Sequence, residues 1–300
     1  MKLNFVEMKT FEKISDLSLE QALFFHGHDL DDRGKAALSL SSSFQLENIK
    51  LQFDETQSLM YLNDEPFNTR LAFIEKVKEL TASKAIIEAT TLGFSEILLL
   101  LNALVENTYI KKIKILYIEP EEYKIKKNKL YNYHDFELTD KFENFKAVPG
   151  FTFEQETPVE IVAFLGFERT RLGQLLQSTE MEFDKLTPVV PLPAFVLGWE
   201  NRTINNHLYY FTPQYSFHKL YYAGANNPYQ AYKLLNKITS HQKPLRIAPI
   251  GTKPNAIGCA IFLVNNKESL TVDVIYDYPK KSSGRSKGVG DINLYILSKN

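Results

Sequence analysis

The chain has 300 residues, 44% of them hydrophobic, enough to build one large core or two ordinary ones. Its 35 basic and 36 acidic side chains leave a net charge of −1, so composition gives no global field that would draw it to nucleic acid or an anionic membrane. A lone cysteine, Cys259 in an apolar run, excludes an internal disulfide and fits a reducing, cytoplasmic compartment with packing as its role.

The opening MKLNFVEMKTFEK lacks the basic-then-apolar layout of a signal peptide and predicts a first strand. Residues 22–26 form a short apolar run, a strand that leads into a helix from about Asp31. Residues 48–53 and 58–62 read as a hairpin, and Leu71, Ile74, Val77 and Leu80 mark a helix over 69–80. A strand at 85–89, an almost wholly apolar helix at 94–105 and a strand at 113–118 complete this half. Its greasiest stretch, 97–101, is far shorter than the ~20 residues a membrane span needs, so no membrane crossing is expected. Residues 124–158 are charged and aromatic with little period, and they place a boundary between halves 1–150 and 151–300.

The second half repeats the order, with a strand at 161–165, a helix from Glu168, a helix at 229–238, a strand at 245–250, a helix at 255–263 and a strand at 272–276. A second excursion, 178–226, carries Pro188, Pro191, Pro193, Pro213 and many tyrosines, and a last strand covers 291–297. Both first junctions hold a glycine, an acid and an arginine: Gly27, Asp29 and Arg33 in one, Gly166, Glu168 and Arg171 in the other. The exits Tyr117-Ile-Glu-Pro120 and Tyr276-Asp-Tyr-Pro279 also agree. Self-similarity at a spacing of about 160 residues predicts an α/β protein of two tandem, duplicated Rossmann-like halves, with mainly parallel sheets and helices on both faces.

In such sheets ligands bind beyond the carboxyl ends of the strands, where helix N-termini offer free amides. Gly251, Thr252 and Lys253 supply a tight turn, a helix start and a positive charge there, a place suited to phosphate, although a plain helix start explains the glycine and threonine equally well. Arg171 or Arg169 could grip a phosphate, and Glu168 could cap the helix or accept a ribose hydroxyl. Arg285 and Lys287, in a glycine-rich basic tail, could close over a phosphate, while Tyr209, Tyr210, Tyr215, Tyr221 and Tyr222 could stack on a base. Glu88, Glu119, Glu121, Glu122 and Asp277 stand at strand ends; paired acids of this kind act as acid and base or hold magnesium, which makes Glu119 and Glu168 the catalytic candidates. Glu122-Tyr-Lys124, with Glu88 upstream, fits the acid-x-lysine pattern of restriction-type nucleases, and His26, His28 and Asp29 are candidate ligands for a divalent ion.

The run around Gly251-Thr252-Lys253, with a strand before it and an apolar helix after, resembles the C-terminal nucleotide-contacting loop of CARF domains, the CRISPR-associated Rossmann-fold modules. Their usual run is Thr-Gly-Gly-Thr-Lys; Ile250 stands in place of one glycine, and the corresponding first-half turn, Thr90-Thr91-Leu92-Gly93, has no lysine. The resemblance implies recognition of a cyclic oligonucleotide or related nucleotide signal, in defence against phage or plasmids. Three readings follow. One is a nucleotide sensor with Lys253, Arg171, Arg285 and Lys287 on phosphates and Glu88, Glu119 and Glu168 on sugar or base, acting through a partner protein because no effector domain follows residue 290. The others are a hydrolase of a phosphodiester or glycosidic bond, with Glu119 or Glu168 as base, and an interaction scaffold without a ligand.

Overall fold

Where the apolar residues run continuously rather than alternating, the strands are buried on both faces, as parallel strands under helices must be. The computed structural model describes residues 1–123, 125–128, 133–136, 138–141, 144–152, 159–178, 183–239, 244–268, 271–281, 284 and 286–300. They form two units, Met1–Lys124 with Ser282–Asn300, and Ile125–Lys281.

The first unit contains β1 (Leu3–Phe11), β2 (Leu23–His26), α1 (Asp32–Ser43), β3 (Glu47–Asp54), β4 (Leu59–Leu62), β5 (Glu65–Phe67), α2 (Arg70–Lys78), β6 (Lys84–Glu88), α3 (Phe94–Glu106), β7 (Lys112–Ile118) and β8 (Glu122–Tyr123). The second contains β9 (Ile125–Asn128), β10 (Tyr133–Phe136), β11 (Thr139–Lys141), β12 (Lys146–Ala147), β13 (Val159–Phe164), α4 (Arg169–Ser178), β14 (Phe183–Pro191), α5 (Trp199–His207), β15 (Tyr221–Ala223), α6 (Pro228–Thr239), β16 (Leu245–Pro249), α7 (Lys253–Asn265), β17 (Val272–Tyr276) and β18 (Lys280–Lys281). The chain then returns to the first unit with β19 (Ser286–Lys287) and β20 (Ile292–Lys299).

The first unit's sheet runs β1-β20-β7-β6-β2-β3-β4-β5. Its centre, β7-β6-β2-β3, is parallel, while β20 and β1 on one side and β4 and β5 on the other are antiparallel, so the hairpin expected at 48–62 lies on the sheet as β3 and β4. The second unit's sheet runs β12-β17-β16-β13-β14-β15 and is parallel except for β12. The protein is thus α/β, with mixed and mostly parallel sheets.

Local chemistry sets the helices. Asp31 caps α1 by accepting from the Gly34 amide at 3.2 Å, and Thr69 caps α2 through the Ala72 amide at 3.1 Å. In α3 every side chain except Glu96 and Glu106 is buried, and each enclosed leucine or isoleucine stabilises by roughly 1.5–3 kcal/mol. Lys299 at the end of β20 reaches back to the carbonyls of Leu104 and Asn107 at the foot of this helix, a cation on its negative dipole end.

The boundary expected at 150/151 differs from the observed junctions. The last strand does not extend the second sheet: β20 inserts between β1 and β7, bonding antiparallel to both along its length, so Ser282–Asn300 belongs with the first unit. Much of the 124–158 excursion lies outside the described residues. Among the described residues no helix is long and apolar enough to cross a membrane.

Candidate functional site

In the second unit the chain lays β13, β14 and β15 outward in one direction, then returns to place β16 on the other side of β13. This reversal falls at the carboxyl ends of β13 and β16, the location at which open α/β sheets take ligands. The two strand exits there are Leu165-Gly166-Phe167-Glu168 and Ile250-Gly251-Thr252-Lys253. The first unit makes the same reversal between β2 and β6.

The structure engages most of the expected ligand contacts internally. Arg171, buried in α4, donates through Nε and Nη2 to the two carboxylate oxygens of Asp277 at 2.7 and 2.6 Å, and through Nη1 to the Ile250 carbonyl at 2.8 Å. Its guanidinium lies 5.9 Å from the Tyr276 ring centre. The group expected on a phosphate is instead a buried clamp between α4 and the ends of β16 and β17, as a guanidinium taken out of water must be paired. Thr252 caps α7 through the Asn255 amide and donates its hydroxyl to the Ala225 carbonyl at 2.8 Å. Gly251 packs against the backbone at the end of β13: a Cβ on it would stand 2.5 Å from the Leu165 carbonyl oxygen. Lys253 is the half-buried first residue of α7.

Glu168 is half-buried and accepts from the Leu138 amide and the Thr139 hydroxyl, both at 3.0 Å. Burial raises its pKa, and Arg171 with these two bonds only partly offsets that. The carboxylate thereby fastens residues 138–139 over the first turn of α4.

In the first unit Glu88 is fully buried and accepts from the amides of Thr90 and Thr91 at 2.8 and 2.9 Å and from the Thr91 hydroxyl, so it shapes the turn after β6. Glu119, also buried, takes the Asn293 amide at 2.8 Å. Asp31 binds Arg33 at 2.7 Å and the Ser286 hydroxyl at 2.7 Å. Burial alone would raise the pKa of Asp31; the charge and hydrogen bonds of Arg33, with those of Ser286 and Gly34, outweigh it and hold the value at about 2. Residues 284 and 286–288 lie over the first turn of α1, through the Gly284 amide on the Leu30 carbonyl and the Gly288 amide on Asp32. Lys287 is exposed in this strap, its backbone paired with Glu122 in β8, and Arg285 lies outside the described residues, as does Lys124 of the nuclease-like triplet. His26, His28 and Asp29 do not assemble an ion site: among the described residues no three histidine, cysteine or acidic side chains stand together as a metal would require. His26 instead contacts its neighbour's carbonyl through Nδ1 at 2.9 Å.

Of the expected stacking tyrosines, Tyr209, Tyr210 and Tyr215 pack on one another at ring separations of 5.2–5.5 Å, with the Arg169 guanidinium 5.3 Å from Tyr209 and 5.8 Å from Tyr210. Two groups in this unit carry no signal in the sequence. Asn255, in the first turn of α7, is wholly buried, and among the described residues neither its amide nitrogen nor its oxygen has a hydrogen-bond partner. His207, at the end of α5, is likewise buried; Nδ1 lies 2.7 Å from the Thr203 carbonyl, and Nε2 has no partner among the described residues.

Burial lowers the His207 pKa from 6.5 to about 4. In that window the unfolded chain binds the proton and the folded one does not, so stability is full above pH 6.5 and falls as the pH drops towards 4, by up to about 3 kcal/mol. Urea unfolding at a series of pH values should therefore show a steeper loss below pH 6.5 in the native chain than in His207→Gln. Equal slopes would mean that the imidazole is hydrated.

No protein-family model matches the chain, and no curated protein matches it.

Proposed function

We propose that the protein is a cytoplasmic nucleotide-binding sensor built on a duplicated Rossmann-like unit, which takes a cyclic oligonucleotide or a related phosphate-bearing ligand in prokaryotic antiviral defence and signals through a protein partner. The observation that carries this reading is Asn255: a fully buried amide with donor and acceptor both unmet, one turn from Gly251-Thr252-Lys253, at the reversal of strand order. An unpaired amide in such a place costs about 1–3 kcal/mol unless something completes it, and donor beside acceptor matches the edge of a nucleobase. The α7 N-terminus and Lys253 bring positive charge to the same turn.

Duplication is supported by paired details. The parallel strands β3-β2-β6-β7 and β14-β13-β16-β17 follow one order. In each unit the arginine in the first turn of the helix after the first of these strands reaches the end of the fourth: Arg33 to the Ile118 carbonyl at 3.4 Å, Arg171 to Asp277 and the Tyr276 ring. Close backbone approaches recur as well, Gly27 against Thr91 and Gly166 against Ile250. No observation favours hydrolysis over binding, since Glu88, Glu119 and Glu168 each hold a piece of backbone or a side chain in place.

Thermal-shift measurements with mononucleotides, dinucleotides and cyclic oligonucleotides, with and without magnesium, followed by mass spectrometry of the mixture, test the reading. A raised melting temperature with intact ligand is expected, lost in Lys253→Ala. Asn255→Leu should abolish the shift while raising the ligand-free stability by about 1 kcal/mol, because it removes an unsatisfied amide of similar volume. Cleaved ligand would make the chain an enzyme, and an Asn255→Leu variant that loses stability without ligand would remove the main support for a site there.

A further inference from the structure

The sheet of the first unit ends in a strand with little around it. β1 pairs with β20 on one side, and among the described residues no strand lies on its other side. Of its nine side chains only Leu3 is buried, so both faces are largely open, and Val6 and Met8 expose 63% and 41% of their surface. An open edge of this length is a template for another strand. Glu7 and Lys9 flank Met8 and lie 3.2 Å apart.

Proteins blunt such edges with bulges and charges, and β1 has both, with an irregularity between Phe5 and Glu7. The order of the charges, however, makes the strand complementary to itself. In an antiparallel copy related by a twofold axis through Met8, Glu7 faces the partner's Lys9, Lys9 faces the partner's Glu7, and the two methionines meet on the axis. Moving the axis to Lys9 or to Glu7 places like charges opposite each other, and an axis between residues pairs neither charge. We propose that the chain forms a homodimer through β1, antiparallel and centred on Met8, which joins the two sheets edge to edge and covers Val6 and Met8.

Light scattering behind size exclusion, at micromolar concentrations, tests both the seam and its register. The native chain should be a dimer. Glu7→Lys and Lys9→Glu each set like charges opposite in both symmetric pairs and should weaken association roughly tenfold. An equimolar mixture of the two single variants should dimerise again, and the double variant Glu7→Lys/Lys9→Glu should associate as the native chain does. Circular dichroism spectra matching that of the native chain will show that the variants remain folded, since both side chains are half-exposed. A native monomer would overturn the proposal and leave the edge to another partner; a dimer indifferent to both single changes would place the seam elsewhere, and a mixture no tighter than its components would reject the register.

Discussion

Replacing Asp277 with alanine should destabilise the protein by about 3–5 kcal/mol, because it leaves the Arg171 guanidinium buried beside an apolar gap with its principal counter-ion gone. Arg171 and Asp277 are joined by two hydrogen bonds of 2.7 and 2.6 Å, and Asp277 is fully buried. Burial alone would weaken the hold of Arg171 on its proton; the charge and hydrogen bonds of Asp277 more than reverse that and raise its pKa. The two positions must therefore be strongly non-additive. Arg171→Met with Asp277→Leu, which removes both charges and keeps apolar volume, should recover most of the loss. Urea denaturation of the two single variants and the double one measures this directly. If Asp277→Ala stayed within about 1 kcal/mol of the native chain, the clamp would be loosely held and Arg171 would again be available to a phosphate.

Gly251→Ala is the second large effect expected. The new Cβ would lie 2.5 Å from the Leu165 carbonyl oxygen and 2.9 Å from the Phe164 oxygen, backbone atoms at the end of the central strand β13 that cannot move aside cheaply. Overpacking at such a contact should cost about 3 kcal/mol or prevent folding. Gly198→Ala separates this clash from backbone conformation. A Cβ on Gly198 would meet nothing within 4 Å, but the residue has a φ of +90°, so the same substitution there should cost only about 1 kcal/mol. Equal losses at the two positions in chemical denaturation would show that crowding at the β13 and β16 exits is not what demands glycine.

Strands β2, β6, β7, β13, β16 and β17 were legible because their apolar runs are dictated by burial on both faces, and α3 because thirteen residues carry only two charges, whereas β14 and β15 lie within 178–226, which reads as a proline- and tyrosine-rich excursion. The place of the site follows from the general rule for open α/β sheets, but the strand order that fixes it is not legible from the alternation of elements, since β4 and β5 join the first sheet antiparallel and β20 inserts between β1 and β7. Side-chain roles were less accessible. Nothing near Arg171 in sequence separates a phosphate clamp from an internal one, since its counter-ion lies 106 residues away. Arg246 and Asp273 show the same limit: each stands in an apolar strand, and only the parallel pairing of β16 and β17 brings them into a two-pronged ion pair. Residues 199–207 give no strong helical signal, with Asn201, Asn205 and Asn206 among poor helix formers, and α5 is held by contacts such as the Asn206 amide on the Phe167 carbonyl at 2.7 Å. The acids were correctly placed at strand ends, but whether an acid there meets a ligand or its own backbone depends on loops whose course sequence alone does not fix.

The insertion of β20 between β1 and β7 also governs the order in which the chain takes shape as it is synthesised. Domains ordinarily fold from the amino end as they emerge from the ribosome. Here the second unit is continuous, so all of its described strands are available once residue 281 has been made, whereas β1 has no strand neighbour among the described residues until residues 292–299 appear. The unit encoded first is therefore completed last, and for the whole time that the second is being synthesised the first presents the unpaired edge of β7 and an orphaned β1. A ribosome pause or a nonsense codon in that interval would release a chain with a finished second unit and an adhesive first one.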